Sequence, residues 1–441
     1  MSAPAIELFE PSEYLNAEKP GYFSLLCKEQ DQNGHREARQ TSYDLRHLPQ
    51  VIKLLNPKVD TWISQAVFTV KNRRAINLRD VGLIFADLDT YHRDDMRRKS
   101  PERQAEMLCN FCRAEDIPEP SIILFSGRGL QAKWLLTEPQ TRLNVIAWNE
   151  TQNALLSMLE PFAADWNSKD VSRVLRLDNT VNTKSGKFCR IVHITGGNEN
   201  CLARYDFNDL SAALSRFAGA IPPRQKTDKE SRGGKLVYAD FKQPLNAQHQ
   251  ARRLRELNWL RLEDIRRIWQ NRGGVPEGYR EVTLFWELNF LLMAQPVAID
   301  MIWHEAAALA REISHKEFYG KSDLSTLYRK AKESQGGGRI EFQGRMYSPF
   351  YTPQNTTLLE IFRVTSDEEQ NLRTIISQNE KNRRRREKAR AAGSIERAEY
   401  ESQSLNQQKP WETEGVSRAT WYRRHGVRQV PSLSCELRLN G

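Results

Sequence analysis

Two aspartates one residue apart close an apolar run in this 441-residue chain, Val81-Gly82-Leu83-Ile84-Phe85-Ala86-Asp87-Leu88-Asp89. The run reads as a short buried strand. Residues i and i+2 of a strand share a face, so Asp87 and Asp89 are expected side by side. Carboxylates that close raise each other's pKa, and a hard divalent cation such as Mg²⁺ relieves the repulsion through its preference for carboxylate oxygen. Asp-Leu-Asp by itself fits a strand entering an acidic turn equally well. Two later segments change the weighing.

The first is Ser126-Gly127-Arg128-Gly129-Leu130-Gln131-Ala132-Lys133-Trp134. Its glycines let backbone approach a ligand and aim N–H groups at an anion, while Arg128 and Lys133 add positive charge. The second runs from Ala164 to Lys184 and sets Asp165 and Asp170 ahead of Arg173 and Arg176, with Asn182 and Lys184 in a following turn. Alone, each reads as a hairpin turn or a solvated ion-pair surface.

Taken in this order, the segments resemble the archaeo-eukaryotic primase superfamily, and within it the primase-like (RepB-like) replication proteins of plasmids and mobile elements. Asp87 and Asp89 match the family's Asp-x-Asp motif. Ser126 to Trp134 match its Ser-Gly-x-Gly hairpin, and Arg173 to Lys184 its third, arginine-bearing motif. The resemblance covers roughly residues 60 to 195. It implies a primase-polymerase-like sheet domain and nucleotidyl transfer on a single-stranded DNA template. It also implies two Mg²⁺ or Mn²⁺ ions held by Asp87, Asp89 and a third acid, for which Asp170 is preferred because it directly precedes the strand carrying Arg173, with Asp165 as its rival. Ser126, Arg128, Gln131, Lys133, Arg173, Arg176, Asn182 and Lys184 would then hold the nucleoside triphosphate or template phosphates. The chain departs from the family at Gln131, where a His is usual, and at Asp178-Asn179, where Pro-Gly is usual. Those departures keep a second reading in view, a DNA-binding initiator that retains the fold without catalysing.

The elements needed to position these residues are legible. Gly21–Cys27 and Trp62–Val70 read as strands, being rich in β-branched and aromatic residues, and Leu45–Leu55 as a helix. Ser100-Pro101-Glu102 gives an N-cap, a first-turn proline and an acid, predicting a helix to about Ala114. Strands flank the Ser126 turn, a helix spans Arg142–Leu159, and Arg173–Leu177 and Phe188–Ile194 read as further strands. That order predicts an α+β sheet domain with flanking helices over residues 1–220. A Pro-Pro, Gly-Gly and charge-rich linker comes next at 221–245, then an all-helical domain at 246–350, in which His304 and Glu305 read as structural.

Formal charge is +10, and residues 371–441 carry fifteen Lys+Arg against eight Asp+Glu, so the tail supplies most of the excess. A long charged helix is expected over 356–404, with Arg383, Arg384, Arg385 and Arg386 as phosphate contacts. Residues 405–441 read as a DNA-binding helix-turn-helix in which Ser417, Arg418, Thr420, Trp421, Tyr422, Arg423 and Arg424 form the reading helix. Expected partners are therefore DNA, as template and as origin duplex, and nucleoside triphosphates. A host or plasmid helicase is also expected, since no Gly-x-x-x-x-Gly-Lys-Ser/Thr loop is present. The six cysteines are scattered, which suits core thiols in a reducing compartment. No signal peptide or membrane-length apolar run is read, so a cytoplasmic location without a membrane partner is expected.

Overall fold

The structure is a computed structural model that describes residues 9–30, 36–196, 202–218, 245–313, 324–335, 338–342, 345–393 and 405–425. Most of the expected linker, residues 394–404 of the expected long helix, and residues 426–441 of the tail lie outside the described residues. The described residues fall into two compact units, divided at Val364/Thr365 and Ile375/Ile376, with Asn371–Ile375 belonging to the first.

The first unit is built on strands β1 (Tyr22–Gln30), β2 (Arg36–Asp44), β3 (Asp60–Ser64), β4 (Val67–Phe68) and β5 (Leu78–Leu88), continued by β6 (Ile122–Phe125), β7 (Leu130–Thr141) and β8 (Val174–Arg176). A small hairpin, β9 (Val181–Asn182) and β10 (Lys187–Phe188), precedes β11 (Arg190–Ile194) and β12 (Arg204–Tyr205). Among the described residues ten strands form one sheet in the order β11-β6-β7-β5-β4-β1-β3-β8, with β2 beside β1 and β12 beside β7. All pairings are antiparallel except β12 with β7. The α+β expectation for the N-terminal region is therefore met, and helices dominate the C-terminal half.

Helices α1 (Leu48–Lys53), α2 (Pro101–Ala114), α3 (Val145–Met158) and α4 (Phe207–Leu214) accompany the sheet. The Ser100 hydroxyl caps α2 by accepting from the Arg103 N–H. Helix α3 buries Trp148 against β5, where the indole N–H donates to the Leu83 carbonyl at 2.9 Å. Beyond its short pairing with β4, the free edge of β5 is closed by the Gln152 side chain, which bonds both the N–H and the carbonyl of Phe85. A glutamine amide thus does the work of a neighbouring strand, so no polar backbone is orphaned at a buried edge.

The structure departs from the sequence expectation at two strands. Trp62–Val70 is not one strand: it breaks at Gln65, whose N–H turns to the Arg173 carbonyl at 3.1 Å. Strand β2, polar along its length, escaped a reading based on apolar alternation, because its partner β1 supplies the pairing.

Helices α5 (Leu245–Asn271), α6 (Arg280–Ala294), α7 (Ile302–Glu312) and α8 (Ser325–Gln335) form the helical part, which belongs to the same unit as the sheet. A buried cation joins the two. Arg74 is fully buried and bonds Glu305 at 3.0 Å, Glu312 at 3.0 Å and Glu287 at 3.3 Å. Arg266 meets Glu287 and Glu312 as well. Glu305 also accepts from the Ala75 N–H, and His304 bonds the Arg73 carbonyl at 2.8 Å, so both residues hold the sheet to α7.

The helix expected over 356–404 is three pieces among the described residues, α9 (Asn355–Phe362) in the first unit and α10 (Ser366–Glu369) and α11 (Gln378–Ala391) in the second. Ser377 starts α11 afresh by capping the Glu380 N–H. Farther on, Pro410–Thr413 and Arg418–His425 are helical around the Gly415 turn.

Because Arg74 serves three carboxylates in a dry interface, its removal strands their charge. Arg74→Ala is expected to cost roughly 3–5 kcal/mol in chemical denaturation, whereas replacing one partner, as in Glu312→Gln, costs far less.

Candidate active site

Asp87 is the penultimate residue of β5, and Asp89 is the first residue beyond it. The segment after α3 comes back alongside them. Ala163 takes the left-handed conformation at φ 56°, which turns the chain so that Ala164 bridges Leu88 in antiparallel fashion. The Asp165 N–H donates to the Asp87 carbonyl at 2.8 Å, and the Asp89 N–H donates to the Ala163 carbonyl at 3.0 Å. Residues directly opposite in an antiparallel pair share a face, so Asp165 stands beside Asp87.

The electrostatics agree with that placement. Burial is the main cause that pushes the Asp87 carboxyl up to about 7, with Asp89 and Asp165 adding to it and Arg173 and Arg176 opposing. Asp89 is raised by burial and by Asp165, while the Tyr91 hydroxyl, Arg128 and His92 favour its charged form. Arg173 pairs with Asp165 at 3.2 Å.

Asp170 has other surroundings. It is fully buried, accepts from the Ser172 hydroxyl at 2.8 Å, and has Arg173, Arg73 and Glu305 as its charged neighbours. The acids brought together at the strand end are therefore Asp87, Asp89 and Asp165, with Asp170 behind Arg173.

The glycine hairpin lies against this strand end. Ser126 closes the turn by accepting from the Gly129 N–H at 3.2 Å. A Cβ on Gly129 would collide with the Leu88 carbonyl oxygen, so this close approach requires glycine. Arg128 is exposed and stacks over Tyr91 at 3.9 Å. Gln131 pairs across from Asp87 on the flank opposite Asp165 and leaves a buried side-chain oxygen without a partner. Asn182 donates to the Ser126 carbonyl at 2.9 Å, tying the β9–β10 hairpin to the glycine turn and leaving Lys184 exposed beside it.

Two cations are committed elsewhere. Lys133 is fully buried against Glu10, with Tyr14 beneath its ammonium. Asp178 joins that cluster, and burial beside Glu10 pushes it up to about 7. Its negative charge thus faces Lys133 and Glu10. Arg176 bonds Asp60 at 2.6 Å and lies over Trp62 at 4.3 Å. Asp60 also takes the Thr183 N–H and hydroxyl, so it anchors β8 and the Asn182 turn together. Sequence reading missed Asp60, Tyr91 and Gln152. Tyr91 directly follows Asp-Leu-Asp-Thr and carried a local signal, whereas Asp60 and Gln152 act across long sequence separations.

Three carboxylates, two from the end of β5 and one from the segment paired with it, supply the oxygen donors that Mg²⁺ and Mn²⁺ prefer. Crowding of their charge at a partly buried strand end is the feature a divalent cation would relieve, so the residues fit such an ion.

No protein-family profile matches the chain. It is 23% identical over 323 residues to a replication protein of Clostridium perfringens, an alignment spanning 72% of this chain and 68% of that one. Solved structures similar to it include the cyanophage S-2L primase-polymerase domain, at 18% identity over 44% of this chain and 89% of that one, TM-score 0.32. The primase RepB′ aligns at 14% identity over 73% of this chain and 96% of that one, TM-score 0.30.

A carboxyl whose folded pKa lies above its unfolded value destabilises the fold as pH rises through the folded value. Asp87→Asn is therefore expected to raise the stability of the metal-free protein by roughly 1–3 kcal/mol at pH 8, and the gain should vanish near pH 4. Thermal unfolding of both proteins across that range provides the measurement.

Proposed function

We propose that the N-terminal domain performs divalent-metal-dependent nucleotidyl transfer on a single-stranded DNA template, as the priming step of plasmid or mobile-element replication. The observation that carries this reading is the backbone pairing that sets Asp165 beside Asp87 and Asp89, next to a glycine hairpin. Similarity to a replication protein over most of both chains supports it. Asp87, Asp89 and Asp165 are proposed to hold Mg²⁺ or Mn²⁺, which when bound would offset charge on the triphosphate and lower the pKa of an attacking 3′-hydroxyl. Asp165 is proposed as the third ligand in place of Asp170, the acid preferred from sequence, because its backbone pairs with that of Asp87. Asp170 is proposed instead to position Arg173, with which it interacts.

The chain's own groups then have distinct roles. Backbone around Ser126–Gly129 and the exposed Arg128 hold triphosphate oxygens. Arg173, at the opposite wall, neutralises Asp165 and can turn to a nucleotide phosphate. Arg176 and Asn182 act through position, one holding β8 to β3 and the other holding the glycine turn in register. Gln131 offers its amide N–H groups and no charge, and Lys184 is placed to meet template phosphate.

In the tail, the helices Pro410–Thr413 and Arg418–His425 pack Trp411 against Trp421 and Tyr422, and the Trp421 indole donates to Glu414 at 2.8 Å. Ser417 caps the second helix through the Thr420 N–H at 3.3 Å. Arg418, Arg423 and Arg424 are exposed on it. These residues are proposed as a helix-turn-helix for origin duplex. Arg385 and Arg386 of α11 would add phosphate contacts; Arg383 is paired with Glu380 and Glu387, and Arg384 with Glu380. Among the described residues no helix is long and apolar enough to cross a membrane. A cytoplasmic protein working with a separate helicase fits this reading.

A second reading, a DNA-binding initiator without catalysis, is favoured by the commitment of Lys133 to Glu10 and by the neutral Gln131. Primer synthesis on single-stranded template with labelled nucleotides and Mg²⁺ or Mn²⁺ separates the two. Product from the wild type, lost at least ~1,000-fold in Asp87→Asn and Asp165→Asn with DNA binding intact, is expected for the enzyme. Absence of product from the wild type supports the initiator.

Truncation after Ser404 is expected to abolish specific duplex binding and to flatten its salt dependence, with log Kd measured against log salt. Undiminished binding by the truncated chain would remove the tail from DNA recognition.

A further inference from the structure

We propose that Cys109, Glu119 and His193 form a second metal site, of the zinc class, at the outer edge of the sheet and separate from the aspartate cluster. Among the described residues this is the group of three ligating side chains whose donor atoms lie within 4.8 Å of one another. The three come from different elements. Cys109 is on α2, Glu119 in the connection to β6, and His193 on the edge strand β11.

Two of the three ligands, Glu119 and His193, are fixed by other groups, as metal ligands usually are. Arg113 bonds one Glu119 carboxylate oxygen at 2.6 Å and leaves the other 3.8 Å from the His193 Nε2. The Glu119 backbone is fixed in turn, its carbonyl accepting from the Tyr205 hydroxyl at 2.7 Å. His193 sits where the β11–β6 register shifts, an irregularity of the kind that re-aims a side chain. Thr195 lies 3.2 Å from its Nε2 and has its own hydroxyl donated to the Pro120 carbonyl, so it can accept from the imidazole but competes little as a donor.

The donor types select the ion. One soft thiolate, one imidazole and one carboxylate suit Zn²⁺ or Co²⁺ and disfavour Mg²⁺. On binding, the Cys109 S–H bond breaks, its proton leaves to solvent, and the sulfur electron pair forms the metal bond. Thiolate and carboxylate then balance the dication. Cys109 is buried, while Glu119 and His193 are partly exposed, which gives an entry path and leaves a fourth position for water. A metal here would staple α2 to β11, reinforcing the Arg190–Glu102 pair at 2.5 Å that joins the same two elements.

The test uses the full chain, stripped with chelator and titrated with Co²⁺. One equivalent should produce the near-ultraviolet thiolate-to-cobalt charge-transfer band, and Zn²⁺ should displace it. Cys109→Ser should lose the band, and His193→Gln should weaken binding at least ~100-fold. Asp87→Asn should bind Co²⁺ at this site as the wild type does, so the result is independent of whether the domain synthesises primers. Zn²⁺ should raise the melting temperature of the wild type and leave that of Cys109→Ser unmoved. No charge-transfer band in the wild type, or undiminished binding in either ligand variant, overturns the site.

Discussion

Two backbone hydrogen bonds at the end of β5 determine what this domain can do. They make Ala163–Asp165 a short extra strand on a half-paired edge, and in doing so they force a third carboxylate against two that already repel. Arg173 and Tyr91 offset only part of that repulsion, since Asp87 and Asp89 are both still raised. The arrangement persists because the surrounding structure over-determines it: Gln152 closes the edge just upstream, Trp148 locks α3 onto β5, and a left-handed Ala163 makes the turn. Strain and crowded charge of this kind collect where a site is built to receive a ligand.

The cations around the acids divide by burial. Lys133 and Arg176 are buried and answered by Glu10 and Asp60, because an unpaired charge inside the sheet would cost several kcal/mol. Arg128 and Lys184 are exposed. Arg173 lies between the two groups, paired with Asp165 yet partly open. On the proposed reading, this partition gives positioning to the inner cations and ligand contact to the outer ones. Asp178 lies in the cluster of Lys133 and Glu10, where burial and Glu10 hold its carboxyl up near 7.

The Arg74 network has the same logic at larger scale. One guanidinium buried among three glutamates makes the sheet and the helical bundle a single unit, so residues such as Arg266 and His304 that belong to helices end up close to Arg73 and Arg173. A cleft of about 1030 Å³ lies along that seam, lined by Lys71, Arg173 and Arg311 among others.

Local chemistry was enough to read the strand ending in Asp87, the capped start of α2, the glycine hairpin, the helical run of α5 to α7 and the two short tail helices. Each rests on periodicity, a cap or a turn residue acting over a few positions. Sequence put Asp170 ahead of Asp165, because Asp170 directly precedes the strand carrying Arg173, and nothing in the spacing pointed the other way. Tertiary structure separated them, through a backbone pairing between segments almost eighty residues apart along the chain. It likewise decided that Lys133 is interior, that Asp60 holds Arg176, and that a polar stretch such as β2 is a strand. Those outcomes depend on which partner arrives across the fold, and a partner's contribution to burial and charge balance is not encoded in the neighbours of a residue.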